Sequence, residues 1–329
     1  MSPAGEGLES RAGAASLSRL KTMRPIAYLT MLAATLMLAL PARAAESYII
    51  VDDETGHILD SSNSNEKRQV ASLTKIAAAI VVYDWATATG SSLAAEAEVP
   101  ADIANVGGEN PCGLQPGDRV ALRDLAYAAL MQSDNHAAYT LAHNVGAQLP
   151  NKYGLSPVDN FTAHMNALAR KLKMKRTLFL NPHGIDNLES PPYSSSADLA
   201  RLTRYAGDNA AFNFAVAQGT REIAITGPDG TRRGFLLQNT NQLLGQEGID
   251  GVKTGRTSRA GDCVILSSDR EPQAVEVNGQ KVAVPRRISV VVLGSQDRFG
   301  EGLALIRRGW DLHDKWTSQG RPVSKRSSL

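Results

Sequence analysis

Three short stretches carry residue types that could do chemistry together: Ser72-Leu73-Thr74-Lys75, Ser133-Asp134-Asn135 and Lys253-Thr254-Gly255. A serine hydroxyl is a weak nucleophile until a base removes its proton. A lysine becomes such a base when burial makes its ammonium form costly. Residues three apart on a helix share a face, so Ser72 and Lys75 can meet. The apolar run Ile76 to Val82 follows at once and supplies the burial. Ser72 also falls at the start of that helix, where free N–H groups favour developing negative charge.

The other two stretches complete a reaction. Ser133 can relay a proton between Lys75 and a leaving amine. The Asn135 amide both donates and accepts, which suits holding Lys75 and a substrate peptide group. Lys253 offers a positive charge for a substrate carboxylate, and by repulsion helps to keep Lys75 neutral. Gly255 has no side chain, so an extended substrate can approach that strand edge. The backbone N–H groups of Ser72 and Arg256 would then stabilise an oxyanion. A serine and lysine in S-x-x-K spacing alone read more readily as a helix cap and a snorkelling cation. The ordered set, with Ser133 following Ser72 by 61 residues and Lys253 following Ser133 by 120, favours the chemical reading.

These groups need elements to hold them. "SYIIVDDETGHILDSS" reads as a hairpin around Glu-Thr-Gly. Residues 72–84 are apolar almost all round and predict a central helix. Residues 121–145 have helical spacing, broken at Ser133-Asp134-Asn135 into two helices. Ser156 as N-cap and Pro157 at the first turn open a helix over 157–174, and another is expected over 196–207. Beyond residue 220 the chain changes to short strand-like runs, with Asn278-Gly279 as a hairpin turn. A terminal helix is expected from about Gly300 to Lys315. Strands thus come from both ends and helices from the middle. That pattern gives an antiparallel sheet covered by two helices, with a mostly helical lobe over about 90–205.

The chain has 329 residues and a formal net charge of +2, so nothing in it argues for nucleic acid. Arg19, Lys21 and Arg24 precede the 15-residue apolar run Ile26 to Leu40, and "ARAA" follows as a cleavage signal. Residues 1–44 therefore read as a signal peptide, starting at Met1 or Met23. Export leaves a Cys112–Cys263 bridge open, although Cys263 at the head of "CVILSS" also reads as a small buried hydrophobe. The six histidines show no metal-ligand spacing, and His136 and His143 read as structural. No metal or cofactor is expected.

Together with "NPHGI", "NTNQLLG" and "GIDGVKTGRTSRAGDCVIL", these motifs resemble the low-molecular-mass penicillin-binding proteins, in particular the serine-type D-alanyl-D-alanine carboxypeptidase family, from about Ser47 to Trp310. The resemblance implies an α+β penicillin-recognising fold: a five-stranded antiparallel sheet flanked by helices, plus a mainly helical subdomain. It implies acylation of Ser72 by peptidoglycan stem peptides and by β-lactams as covalent inhibitors, with Lys75 as base. Ser133 and Asn135 would line the helical side. Lys253, Thr254, Gly255 and Arg256 would line the strand edge, with Thr257 joining Thr254 at the terminal carboxylate. "NPHGI" is expected at the cleft border. A D,D-endopeptidase stays open as an alternative. A class A-like β-lactamase, lacking an E-x-x-L-N-type segment here, and an inactive homologue are weaker ones. The family often has His where Arg256 stands, and many members carry a C-terminal β-rich domain with a membrane helix. Here residues 45–315 would form the catalytic domain and 316–329 a disordered tail. The mature chain would then be periplasmic or secreted, without an integral span.

Overall fold

The computed structural model describes residues 45–187, 189–277, 280–323 and 328–329. The expected signal peptide and the Asn278-Gly279 turn lie outside the described residues.

The first sheet is built from β1 (Ser47–Asp52), β2 (Ile58–Ser62), β7 (Ile249–Thr257), β8 (Gly261–Val277) and β9 (Gln280–Ser295), in the order β2-β1-β9-β8-β7. Every neighbouring pair is antiparallel. Successive side chains on a strand point to opposite faces, so two apolar sets emerge. Ile49, Val51, Ile265, Val291 and Leu293 face one core. Ile50, Val264, Leu266, Val290 and Val292 face the other. The near-continuous apolar runs of β1 and β9 follow from this double burial.

The first core is filled by α1 (Thr74–Thr89), whose residues from Thr74 to Tyr83 are all buried. A helix apolar on all sides must be central. It stops at Gly90, where φ is +70° and the N–H caps Ala86 O. The helical lobe contributes α2 (Leu122–Met131), α3 (Asn135–Gly146) and α4 (Pro157–Lys171). The break at Ser133 and the Ser156 cap occur as the sequence predicts; Ser156 Oγ accepts from Asp159 N at 3.2 Å. Next come α5 (Ser196–Gly207) and α6 (Ala210–Ala217). The last helix, α7 (Arg298–Ser318), covers the second core through Ile306 and Trp310.

Three expectations change. The lobe ends before residue 205, because α5 packs on β1 and β9. The run at 220–226 does not join the main sheet. It is β5 (Thr220–Thr226), which pairs with β6 (Arg232–Gln238) in a second sheet of order β3-β4-β5-β6, with β3 at Glu96–Glu98 and β4 at Arg119–Ala121. The tail expected from residue 316 begins as ordered chain: Trp316 is 6% exposed and stacks on His57, with ring centroids 4.5 Å apart. Leu329 N donates to Gly56 O. Cys112 and Cys263 are both buried and free. Among the described residues no helix is long and apolar enough to cross a membrane.

Candidate active site

Ser72 sits in a single 3-10 turn, Ala71–Leu73, that leads into α1. Ala71 has φ +48°, so the chain bends sharply just before the serine. Lys75, one turn on, is completely buried. Its Nζ lies 2.8 Å from Ser72 Oγ, 2.7 Å from Asn135 Oδ1 and 2.8 Å from His183 O. Two of these partners, an amide oxygen and a backbone carbonyl, can only accept. A neutral amine has two hydrogens and one lone pair. With both hydrogens held by Asn135 and His183, its lone pair faces Ser72, ready to take the hydroxyl proton. Burial lowers the Lys75 pKa to about 7, while the carboxylates of Asp134 and Glu109 pull it upward.

The helical wall is held by dense wiring. Asp134 caps α3 by accepting from Ala137 N at 2.9 Å and also accepts from Cys112 N at 3.0 Å. Asn135 Nδ2 donates to Gly107 O at 3.1 Å. Gly108, at φ +84°, lies so close that a Cβ there would come within 2.1 Å of Asn135 Nδ2. Ser133 has φ +65°, a left-handed conformation that costs a non-glycine residue energy and turns it into the cleft. Across the base of the cleft, Asn181 Oδ1 accepts from Gly184 N at 2.6 Å and shapes the "NPHGI" turn. A Cβ on Gly184 would meet Ala71 O at 2.0 Å, so this turn packs directly on the bend before Ser72. The His183 pKa is lowered to about 3, first by burial and then by Lys75, which leaves a neutral imidazole.

The opposite wall is the edge strand β7. Gly255 lies against the serine turn: a Cβ would sit 3.0 Å from Ser72 N and 3.1 Å from Val70 O. Thr254 Oγ1 is 2.6 Å from Thr240 Oγ1. The Arg256 side chain is 76% exposed. Two residues expected at this strand edge are held by internal contacts. Lys253 is 1% exposed and donates to Thr254 O at 2.9 Å, so it stands behind the cleft surface. Burial first, then Lys75 and Arg298, lower its pKa well below the ordinary range. For Lys75 the lowering comes from burial. The Thr257 hydroxyl, in turn, donates to Asp186 Oδ2 at 2.5 Å and accepts from Ala260 N, so its hydrogen is already committed.

Ser72, Ser133, Asn135 and residues 254–257 all line one cleft of about 340 Å³, and Lys75 and Lys253 lie just behind it. Sequence reasoning missed Arg298, whose guanidinium lines the cleft and donates to Gly255 O at 3.0 Å. It missed Glu109 as well, although the adjoining Gly107-Gly108 pair signals a close backbone approach. His136, read as structural, contacts Val106 O through Nε2 at 3.2 Å.

A family model described as D-alanyl-D-alanine carboxypeptidase matches residues 34–278. The D-alanyl-D-alanine carboxypeptidase DacD of Escherichia coli is 32% identical over 289 residues, covering 82% of this chain and 64% of that protein. A D-alanyl-D-alanine endopeptidase of Pseudomonas aeruginosa is 30% identical over 227 residues, covering 68% and 66%. The chain spans 60–64% of the length of the DacD proteins it matches. Among solved structures, the DD-transpeptidase of Streptomyces K15 superposes with a TM-score of 0.70 at 25% identity, over 82% of this chain and 98% of that one. Sequence, fold and cleft agree, and the chain belongs to the D-alanyl-D-alanine carboxypeptidase family.

Proposed function

We propose that the protein is a serine-type D-Ala-D-Ala carboxypeptidase that trims peptidoglycan stem peptides through an acyl-enzyme on Ser72, and that β-lactams acylate the same serine. The observation that carries this reading is the Lys75 amine, 2.8 Å from Ser72 Oγ and within hydrogen-bond distance of two acceptors, Asn135 Oδ1 and His183 O. Lys75 takes the hydroxyl proton as Oγ attacks the carbonyl of the penultimate residue. The N–H groups of Ser72 and Arg256 receive the oxyanion. Ser133 passes the proton to the departing amine. Arg298 and Arg256 supply cationic charge for the terminal carboxylate beside Thr254. An arriving carboxylate also favours the charged form of Lys253. Water then releases the shortened peptide from Ser72. The leader-like residues 1–44 support export to the periplasm or beyond.

A D,D-endopeptidase is the second reading, favoured by the likeness to the Pseudomonas aeruginosa endopeptidase, which covers 68% of this chain and 66% of that protein. Incubation with a stem pentapeptide and with a cross-linked peptide dimer, read by mass spectrometry, separates the two. Loss of one terminal alanine from the pentapeptide is expected. Cleavage of the dimer alone would overturn the carboxypeptidase reading. A labelled penicillin is expected to attach to Ser72 and not to a Ser72→Ala variant.

A further inference from the structure

The two walls of the cleft differ in charge. Arg256 and Arg298 line the β7 side. Glu109 is the one acidic side chain among the described residues that line the cleft, and it sits on the Asn135 side. It is exposed, and no cation among the described residues forms an ion pair with it. Its place is set by backbone contacts: Asn135 N donates to Glu109 O at 3.0 Å, and Asn135 Nδ2 holds Gly107 O. The carboxylate lies near enough to the reacting groups to act on both buried lysines, Lys75 and Lys253.

A peptide whose terminal carboxylate lies toward the guanidinium groups, with its scissile carbonyl over Ser72, must lead its acyl portion out past Asn135. Glu109 is the charge it meets there. We propose that Glu109 is a specificity residue that favours acyl donors carrying a free ammonium group on the acyl side of the scissile bond. This rests on the peptidase reading of the cleft. A donor whose amine is acylated, as in a cross-link, loses the attraction and leaves the carboxylate facing a neutral amide. The pairing takes place at an exposed rim, so its effect is modest, about two- to fivefold.

The test uses two peptides ending in D-Ala-D-Ala that differ only in whether a lysine side chain preceding that dipeptide is free or acetylated. The wild-type protein is expected to prefer the free amine by about two- to fivefold in kcat/KM, and Glu109→Gln to bring the ratio close to one. The ratio isolates the ammonium contact, because any change in Lys75 affects both peptides alike. A wild-type ratio near one, or a preference that survives Glu109→Gln, would overturn the proposal. A second pair separates its failure from that of the peptidase reading: acylation of Ser72 by ampicillin, which carries an ammonium group, and by benzylpenicillin, which does not. If neither peptide is cut but Glu109→Gln narrows the penicillin ratio, the proposal holds and the peptidase reading fails. If peptides are cut but neither ratio moves, the proposal alone fails.

Discussion

The helical wall and the β7 wall line the same cleft, but they are built in opposite ways. On the helical wall the buried polar groups around Lys75 have fixed internal partners. Asn135 is bonded at both ends of its amide, Asp134 accepts two N–H groups, and Lys75 has three partners. On the β7 wall the ladder to β8 fixes the backbone, while Arg256 projects into solvent and Arg298 is only partly engaged. The helical wall is over-determined, which under the proposed mechanism holds reacting atoms in place before substrate arrives. The β7 wall is looser: Arg256 and Arg298 share Asp262 at 3.5 and 3.3 Å, a pairing that leaves the exposed Arg256 guanidinium mostly in solvent.

The largest break in this contrast is at Lys75. Arginine keeps the charge but cannot act as a base in a protein. Lys75→Arg is expected to slow acylation by a fluorescent penicillin at least ~100-fold. Near-normal acylation would remove Lys75 from the base role. In the wild-type protein, only the neutral amine can accept the serine proton. Acylation should therefore rise as pH rises through about 7 and level off above it. A profile flat from pH 5 to 9 would contradict the buried-base reading.

A smaller effect is expected on the β7 wall. Arg298→Gln removes a guanidinium that lines the cleft. A hydrogen bond to a charged group is worth ~1.5–3 kcal/mol, so kcat/KM for a free-acid peptide should fall by about tenfold or more. Arg298 also braces Gly255 O, and that loss would fall equally on a C-terminal amide. The free-acid to amide ratio is thus the informative number. An unchanged ratio would reduce Arg298 to a brace.

What was legible in the sequence follows from the range of the interactions. Ser72 and Lys75 were legible because helical spacing alone brings residues three apart together. The central helix was legible because Ile76 to Val82 leave no polar face. Strand pairing partners were not, since β5 has the same alternating pattern in either sheet. Arg298 and Glu109 reach the cleft only through tertiary packing, and the carbonyl of His183 is a backbone group that no residue type announces. Lys253 and Thr257 carry the right chemistry in the right motif. The burial of Lys253 and the bonding of the two residues to Thr254 O and Asp186 nevertheless depend on contacts that spacing does not encode.

The smallest effect on chemistry is expected at the middle residue of Ser133-Asp134-Asn135. Asp134 is fully buried and does not line the cleft. Its two oxygens accept from Ala137 N and Cys112 N, so it holds the start of α3 and the loop carrying Glu109. Asp134→Ala removes a helix cap, worth ~1 kcal/mol, and strands a buried donor, worth ~1–3 kcal/mol. A loss of about 2–4 kcal/mol in stability is expected in urea unfolding. Asp134→Asn keeps an acceptor for the cap and should lose less. It also removes a negative charge that raises the Lys75 pKa, so the acylation midpoint should move below 7. At pH 8 Lys75 is already mostly neutral, and acylation by Asp134→Asn should stay within about threefold of wild type. A loss at pH 8 comparable to that of Lys75→Arg, in a variant that still unfolds cooperatively, would mean that Asp134 takes part in the chemistry. The helical wall would then be reacting machinery throughout, rather than a scaffold around Ser72 and Lys75.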